Sequence, residues 1–311
     1  MNREELRRLL VGPITTVPTP FDDDLEVDYG RMAELTEFWV ESGLTCGTAV
    51  IKVAAAMGEG GMLEEAEWAN LVRTAVQASK GKAAIVAGIH HKDTRRAIKD
   101  ARMAEDLGAV GVQISPPVFS WPTAGDILRH YEALSDAIGI GIVIYNNWWW
   151  PGGNTLPETF LKMKDFEHVV AIKWSVPAEQ KYEDMAMLAP HFNVLDNNAR
   201  PALCHKLGGR GYINRTAHAY PQHDLQIWAL LESGRYDEAQ ALFEKVDVPT
   251  WAFYEEMAAE SGGEARMIKG MMAIMGLPCG VSRPPTLPMS DAQMAKLRQM
   301  LIDAGWPVPQ Q

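Results

Sequence analysis

The 311-residue sequence predicts an α/β fold, a (β/α)8 TIM barrel followed by a C-terminal helical extension. Eight short runs, apolar on both faces as buried parallel strands are, alternate with amphipathic segments, several of which end at glycine. From about residue 219 the pattern becomes entirely helical. We therefore expect one structural unit. Residues 1–218 would supply the barrel strands and most barrel helices, and residues 219–311 the last barrel helix and the extension.

The predicted elements follow one another in the order that such a barrel requires. The runs interpreted as strands are residues 13–19, 46–53, 83–89, 109–115, 139–145, 168–174, 192–196 and 209–214. The clearest barrel helices are 29–43, 64–81 and 94–108, and the helical tail comprises 223–234, 236–261, 264–276 and 291–305. The eighth strand, GRGYIN, gives the weakest strand signal of the set.

Composition limits the classes of partner that the protein can have. A net charge of −11 and a pI near 5.2 argue against nucleic acid and anionic membranes, which are bound through basic patches. The three cysteines are far apart and show no CxxC spacing, so we expect neither a disulfide framework nor a zinc site. The first residues lack the apolar core of a signal peptide, and no apolar run is long enough to span a bilayer. We therefore expect a soluble cytoplasmic protein.

Two residues at adjacent strand ends carry the predicted chemistry. Active sites of this barrel form at the C-terminal ends of the strands. Lys173 lies at the end of the sixth run, where burial should lower the pKa of its amine and make it a nucleophile towards carbonyl groups. Tyr145 ends the fifth run, so the barrel should place its phenol beside Lys173, where it can transfer protons. Lys52, in the second run, is a rival with similar surroundings.

Other strand ends offer polar or aromatic groups without a complete motif. His90 and His91 are neighbours in sequence, so only one of them can face the barrel mouth, and no acidic or cysteine cluster completes a metal site. The stretch NNWWWPGG (146–153) follows Tyr145 and contains three consecutive tryptophans. We expect at least one of them to line the site, because such loops set specificity. The residues thus give little support to a metal site, and no phosphate-binding loop is evident.

Seven short segments form a series along nearly the whole chain. They are VPTPFDDDLEVD (17–28), MGEGGMLEEAEW (57–68), IVAGI (85–89), ISPPVFSWP (114–122), IVIYNN (142–147), AIKWS (171–175) and GVSRPPTLPMS (280–290). In this order and spacing the chain resembles the dihydrodipicolinate synthase / N-acetylneuraminate lyase family. The resemblance implies a barrel with C-terminal helices, usually a homotetramer built as a dimer of dimers. It also implies that Lys173 forms a Schiff base with a 2-oxo acid, often pyruvate, and that Tyr145 shuttles protons without a cofactor.

Three departures separate the chain from the family pattern. Where the family has GTTGE, whose hydroxyls hold the keto-acid carboxylate and join a proton relay, this chain has AAMGE (55–59). Where the family has PPYY, with a tyrosine that crosses a dimer contact, this chain has PPVF, ending at Phe119. Residues 146–153 contain no arginine of the kind that binds a substrate carboxylate in the synthases. A buried carboxylate left unpaired costs about 1–3 kcal/mol, so we do not expect an authentic dihydrodipicolinate synthase.

Three hypotheses follow for the function. The first is a Schiff-base lyase, aldolase or synthase whose carbonyl substrate has a bulky or apolar portion. The second is a hydro-lyase or hydratase-aldolase, which shares the imine and uses Glu59 or a histidine as an additional acid or base. The third is a ligand-binding relative without catalysis. Besides Lys173 and Tyr145, the residues expected to bind substrate are Ala56, Met57, Gly58, Glu59, His90, Phe119, Asn146, Trp148, Asn197, Asn214 and Arg215.

Overall fold

Eight parallel strands close into a barrel in the computed structural model, which describes residues 1–90, 92–150 and 152–310. The strands are β1 (Gly12–Thr16), β2 (Val50–Val53), β3 (Ala84–Ile89), β4 (Gly111–Ile114), β5 (Gly141–Tyr145), β6 (Val169–Trp174), β7 (Asn193–Asp196) and β8 (Gly211–Asn214). Each strand pairs with the next one along the chain, and β8 pairs with β1. The predicted barrel is confirmed, including its eighth strand.

Helices surround the barrel and continue beyond it. They are α1 (Arg3–Leu9), α2 (Tyr29–Glu41), α3 (Glu65–Ser79), α4 (Thr94–Asp106), α5 (Ala124–Ala137), α6 (Pro157–Leu161), α7 (Pro201–Lys206), α8 (Pro221–Glu232), α9 (Tyr236–Ala258), α10 (Glu264–Ile274) and α11 (Asp291–Asp303). A 3₁₀ segment, Tyr182–Met187, takes the place of an α-helix between β6 and β7. Among the described residues, none of the helices is both long and apolar enough to cross a membrane.

The N-terminal helix α1 closes the bottom of the barrel. Leu6 and Leu10 are fully buried and belong to the apolar cluster inside the strands, together with Ile14 and Val143. A Cβ on Gly141 would lie 2.8 Å from Cδ1 of Leu10, so the Leu10 side chain packs closely against β5. The opposite end, where the strands have their carboxyl ends, is therefore the end at which a substrate can enter.

The C-terminal extension packs against the barrel on the side of β1 and β2. Helix α10 packs against α11, and its residues from 265 to 272 are all buried. Lys269 of α10 forms a buried ion pair with Glu59, at 2.8 Å from Nζ to Oε2. Glu59 follows β2 in the left-handed backbone region, with φ 60°. The extension is thus bonded to a loop at the carboxyl end of the barrel.

Candidate active site

Lys173 and Tyr145 lie side by side at the carboxyl ends of β6 and β5. Their Cα atoms are register partners in the parallel ladder. The Nζ atom of Lys173 lies 4.0 Å from the centroid of the Tyr145 ring. Both residues are buried, with 6% and 4% of their surfaces exposed. The expectation that the barrel brings these two side chains together is confirmed.

Burial gives the Lys173 amine the protonation state that a nucleophile needs. The pKa of Lys173 is lowered to about 7, chiefly by desolvation, which the negative charge of Glu264 opposes and the positive charge of Arg215 reinforces. At neutral pH a large fraction of the amine is therefore unprotonated. A neutral amine next to an apolar wall can add to a carbonyl group and form an imine.

Tyr145 is held as a neutral phenol between two aromatic rings. Burial raises the pKa of Tyr145, and the Asn147 side chain opposes part of that rise. The His90 ring packs against it edge-on at 5.4 Å between centroids, and the Trp150 ring packs on it at 5.2 Å. The phenol is therefore protonated next to the Lys173 amine. A group in this state and position can act as a proton donor in reactions of that amine.

The tryptophan loop after β5 presents one indole to the site and two to the surface. The backbone N–H of Asn147 donates to the carbonyl of Gly153 at 3.0 Å, which closes the loop. Trp150 faces Tyr145, whereas Trp148 and Trp149 are 46% and 47% exposed and pack against each other at 5.6 Å. Trp148 was the tryptophan expected among the substrate-binding residues, whereas Trp150 is the one that contacts Tyr145. Closure of the loop over a few residues turns consecutive side chains in different directions.

Lys52, the rival lysine, is paired inside the barrel. It is 2% exposed, and its Nζ donates to Oε1 of Gln113 on β4 at 2.8 Å. Burial lowers the pKa of Lys52 well below its ordinary value, and the nearby charge of Lys173 acts in the same direction. The two amines thus differ in what they face, because Lys52 has an amide partner and Lys173 an aromatic ring.

The AAMGE segment is fixed by its backbone and by Glu59. The hydroxyl of Thr19 donates to the carbonyl of Gly58 at 2.7 Å, and a Cβ on Gly58 would lie 2.7 Å from the carbonyl oxygen of Val17. Ala56 is exposed and Met57 is buried. Lys269 takes up the charge of the Glu59 carboxylate, which therefore joins the loop to α10.

Three asparagines expected at the site hold loops in place. Asn146 donates to the carbonyl of Ser175 at 3.0 Å and accepts from the backbone of the loop that follows. Asn197 donates to the Ser175 hydroxyl at 3.3 Å. Asn214 donates to the hydroxyl of Thr15 at 3.2 Å and accepts backbone N–H groups just after β8. Their amides connect neighbouring βα loops around the barrel mouth.

Arg215, after β8, belongs to a charged cluster that the sequence alone did not reveal. Its guanidinium is 3.1 Å from Asp247 and 3.8 Å from Glu264, and it lies 4.3 Å from the ring centroid of Trp251. Glu264 raises the pKa of Lys173, so its charge reaches the Lys173 amine. These partners come from α9 and α10, which the sequence pattern identified only as helices, and no motif marks them as site residues.

Two other predicted residues, Phe119 and His90, differ in their surroundings. Phe119 is 80% exposed in the loop after β4, next to Trp121, which is 73% exposed. His90 also lines a cavity of about 270 Å³ behind β2 and β3, which does not include Lys173. His91 lies outside the described residues. Within the described part of the chain, no group of three histidine, cysteine or acidic side chains is arranged to hold a metal ion.

Comparison with known proteins agrees with this geometry. The model of the dihydrodipicolinate synthetase family matches residues 9–304. The chain belongs to this family. It is 28% identical over 296 residues to the 4-hydroxy-tetrahydrodipicolinate synthase of Heliobacterium modesticaldum, covering 94% of this chain and 95% of that one. The corresponding enzyme of Trichlorobacter lovleyi is 29% identical over 298 residues, covering 93% and 97%.

Solved structures show the same fold. Dihydrodipicolinate synthase from Thermotoga maritima superposes with a TM-score of 0.83 at 26% identity, covering 96% of this chain and 99% of that chain. The Acinetobacter baumannii enzyme, solved in complex with pyruvate, superposes with a TM-score of 0.83 at 23% identity and covers 95% and 99%. The protein is therefore an enzyme of the class I aldolase type, a lyase on a TIM barrel. Members of this family act on small carbonyl substrates.

Proposed function

We propose that the protein is a Schiff-base lyase, aldolase or synthase for a 2-oxo acid or related carbonyl substrate with a bulky or apolar portion. The observation that carries the proposal is the contact between the Lys173 amine and the Tyr145 ring in a buried pocket. Lys173, with a pKa of about 7, attacks the substrate carbonyl. Tyr145 protonates the departing hydroxyl of the carbinolamine. The resulting iminium accepts the electron pair when a carbon–carbon bond breaks, or activates the substrate for bond formation.

The surroundings of this pair support a substrate other than that of the named relatives. AAMGE (55–59) offers no side-chain hydroxyl to a carboxylate, and residues 146–153 contain no arginine. Arg215, whose positive charge lowers the pKa of Lys173, already has Asp247 and Glu264 as partners. A second substrate carboxylate would meet these two negative charges. An apolar or hydroxylated portion, packed near Trp150, fits the site better.

A second candidate is a hydro-lyase or hydratase-aldolase of the same family. The observation in its favour is Glu264, whose negative charge reaches both Lys173 and Tyr145. A carboxylate near the imine can remove or return a proton during loss or addition of water. The two candidates share the imine and differ in the bond that breaks, so product analysis distinguishes them.

The imine is tested by reduction in place. The protein is incubated with pyruvate and a panel of larger 2-oxo acids, reduced with borohydride, and digested for mass spectrometry. We expect an adduct on the peptide that contains Lys173, which Lys173→Ala abolishes and the matched control Lys52→Ala retains. Absence of any adduct across the panel would refute the catalytic proposal and favour a ligand-binding relative. An adduct that survives Lys173→Ala would transfer the role to Lys52.

We also propose that the protein is a cytoplasmic homotetramer, built as a dimer of dimers, and that it needs no cofactor. The family membership supports the assembly, and the exposed Phe119 and Trp121 offer apolar surface for a contact between copies. Light scattering measures the assembly, and a monomer at micromolar concentration would contradict it. Activity that is unchanged after dialysis against a chelator is the expected result for an enzyme without a metal.

A further inference from the structure

The buried amide of Asn147 has no role in the chemistry described so far. The residue is 0% exposed, and no described residue completes a hydrogen bond of normal geometry with either polar atom of its side chain. A buried amide without partners loses its hydration and gains nothing in return, so native proteins rarely keep one without a reason. The neighbouring Asn146 shows the contrast, because both ends of its amide are bonded within the loops.

The backbone of Asn147 is fixed at the base of the tryptophan loop. Its N–H donates to Gly153, and its carbonyl accepts the N–H of Trp150 at 3.2 Å. A Cβ on Gly153 would lie 2.3 Å from that carbonyl, so this closure requires glycine. The amide therefore extends from a constrained backbone two residues beyond Tyr145, at the base of the loop whose Trp150 packs on the phenol.

The Asn147 side chain also affects the Tyr145 phenol. Burial raises the pKa of Tyr145, and the Asn147 side chain, two residues further along the chain, opposes part of that rise. An N–H donor stabilises the phenolate form more than the neutral phenol. Among the described residues, the rings of His90 and Trp150 and the amine of Lys173 also pack against Tyr145.

We propose that Asn147 is a positioning residue, which orients the Tyr145 hydroxyl for proton transfer to the substrate. The inference rests on the proposed imine chemistry. In that step the O–H bond of Tyr145 breaks and its proton joins the carbinolamine hydroxyl, which leaves as water. The nitrogen lone pair of Lys173 forms the C=N bond, so an iminium and a phenolate remain. The Asn147 N–H then donates to the phenolate oxygen. The phenolate takes up a proton again when the imine is hydrolysed, which restores the neutral phenol.

A double-mutant cycle tests this role, with the rate of borohydride-trapped imine formation from pyruvate, or from the most reactive oxo acid of the panel, as the readout. Asn147→Leu keeps the size of the side chain and removes its polar atoms. We expect it to slow imine formation about tenfold in the otherwise unmodified protein, with little change in the substrate concentration for half-saturation. In the Tyr145→Phe background we expect no further loss, because the residue acts through the phenol.

Asn147→Asp provides a second measurement if the leucine variant does not fold. An ionised carboxylate of the same shape cannot donate to the phenol, whereas the protonated acid can. The rate of this variant, relative to that of the unmodified protein, should therefore rise as the pH falls. The control is Asn146→Leu, which removes a loop anchor, so its effect should lower the melting temperature and persist in the Tyr145→Phe background.

The outcomes separate the inference from the proposed function. An equal loss in both backgrounds, or no loss for Asn147→Leu, overturns the positioning role while imine formation by the unmodified protein still supports the lyase. If the folded, unmodified protein forms no imine with any member of the panel, the proposed function fails and the positioning role fails with it.

Discussion

Two buried lysines, Lys173 and Lys52, show how different partners give similar residues different roles. Each follows an apolar run, and burial lowers the pKa of both. The Lys52 amine donates to Gln113 at 2.8 Å. No described residue accepts a hydrogen bond from the Lys173 amine, which instead lies over the ring of Tyr145. An amine without a competing acceptor, next to a proton donor, is the one suited to attack a carbonyl.

The two sides of the barrel differ in the same way. On the β2 side, Lys52 and Glu59 are both paired, and Glu59 connects the barrel to α10. On the β5–β6 side, Lys173 and Tyr145 face each other with aromatic rings around them. Paired polar groups have their hydrogen-bonding capacity taken up within the fold, whereas groups without such partners remain available to a substrate.

The largest expected effect comes from removing the phenol. Tyr145→Phe keeps the ring over Lys173 and deletes the proton donor. We expect turnover to fall by about 10²–10⁴-fold, the usual contribution of general acid–base catalysis. Steady-state kinetics on the substrate identified by the oxo-acid panel measures the loss. A Tyr145→Phe variant within a few-fold of the unmodified enzyme would show that the contact with Lys173 is packing only.

Removing the Lys52–Gln113 pair should change the stability of the protein and not its chemistry. The double variant Lys52→Met, Gln113→Leu removes a buried amine together with its partner. We expect the free energy of unfolding to increase by about 1–4 kcal/mol near neutral pH, so that the variant is more stable. The rate of imine formation should stay within a few-fold of that of the unmodified protein. The single variant Lys52→Met should be less favourable, because it leaves the Gln113 amide unpaired at a cost of about 1–3 kcal/mol.

The pH dependence of that gain follows from the depressed pKa. In the unfolded chain Lys52 keeps its ordinary pKa of 10.5, while in the folded protein its pKa is well below that value. Between the two values the unfolded state binds more protons, so the unmodified protein gains stability as the pH rises. The advantage of the double variant should therefore shrink towards pH 10.5, as denaturant titrations at several pH values would show. An advantage that grows with pH would contradict this account.

A smaller effect should separate the tryptophans. Trp150→Ala removes the ring that packs on Tyr145, and we expect turnover to fall about tenfold, the size of one lost aromatic contact. Trp148→Ala is the matched control in the same loop, and we expect it to leave turnover nearly unchanged. Kinetic constants for both variants check the difference. Equal losses would mean that the loop acts as a whole and that no single indole contacts the site.

The smallest effect is a shift of the pH profile. The negative charge of Glu264 raises the pKa of Lys173, so Glu264→Gln should lower that pKa further below about 7. Because the unprotonated amine is the nucleophile, imine formation rises with pH through this pKa, and its midpoint should move to lower pH in the variant. Glu260→Gln, on the preceding turn, is the control without this shift. A midpoint that moves to higher pH would contradict the proposed field of Glu264.

The barrel, its strand order and the adjacency of Lys173 and Tyr145 were all predictable from the sequence. Apolar runs at regular spacing specify buried parallel strands, and a parallel barrel then requires that the ends of β5 and β6 be adjacent. The errors were local. The second strand begins at Val50 and not at Cys46, because residues 45–49 form a hydrogen-bonded turn.

The other groups that lie near Lys173 depend on long-range packing. Glu264 lies 91 positions further along the chain (264 − 173 = 91) and reaches the site through the packing of α10, a contact for which no local pattern exists. The direction of Trp150 and the burial of Asn147 depend on how the loop closes on Gly153. Periodicity encodes elements because neighbours in sequence share a backbone geometry. The partners of a side chain depend on long-range packing, which periodicity does not encode.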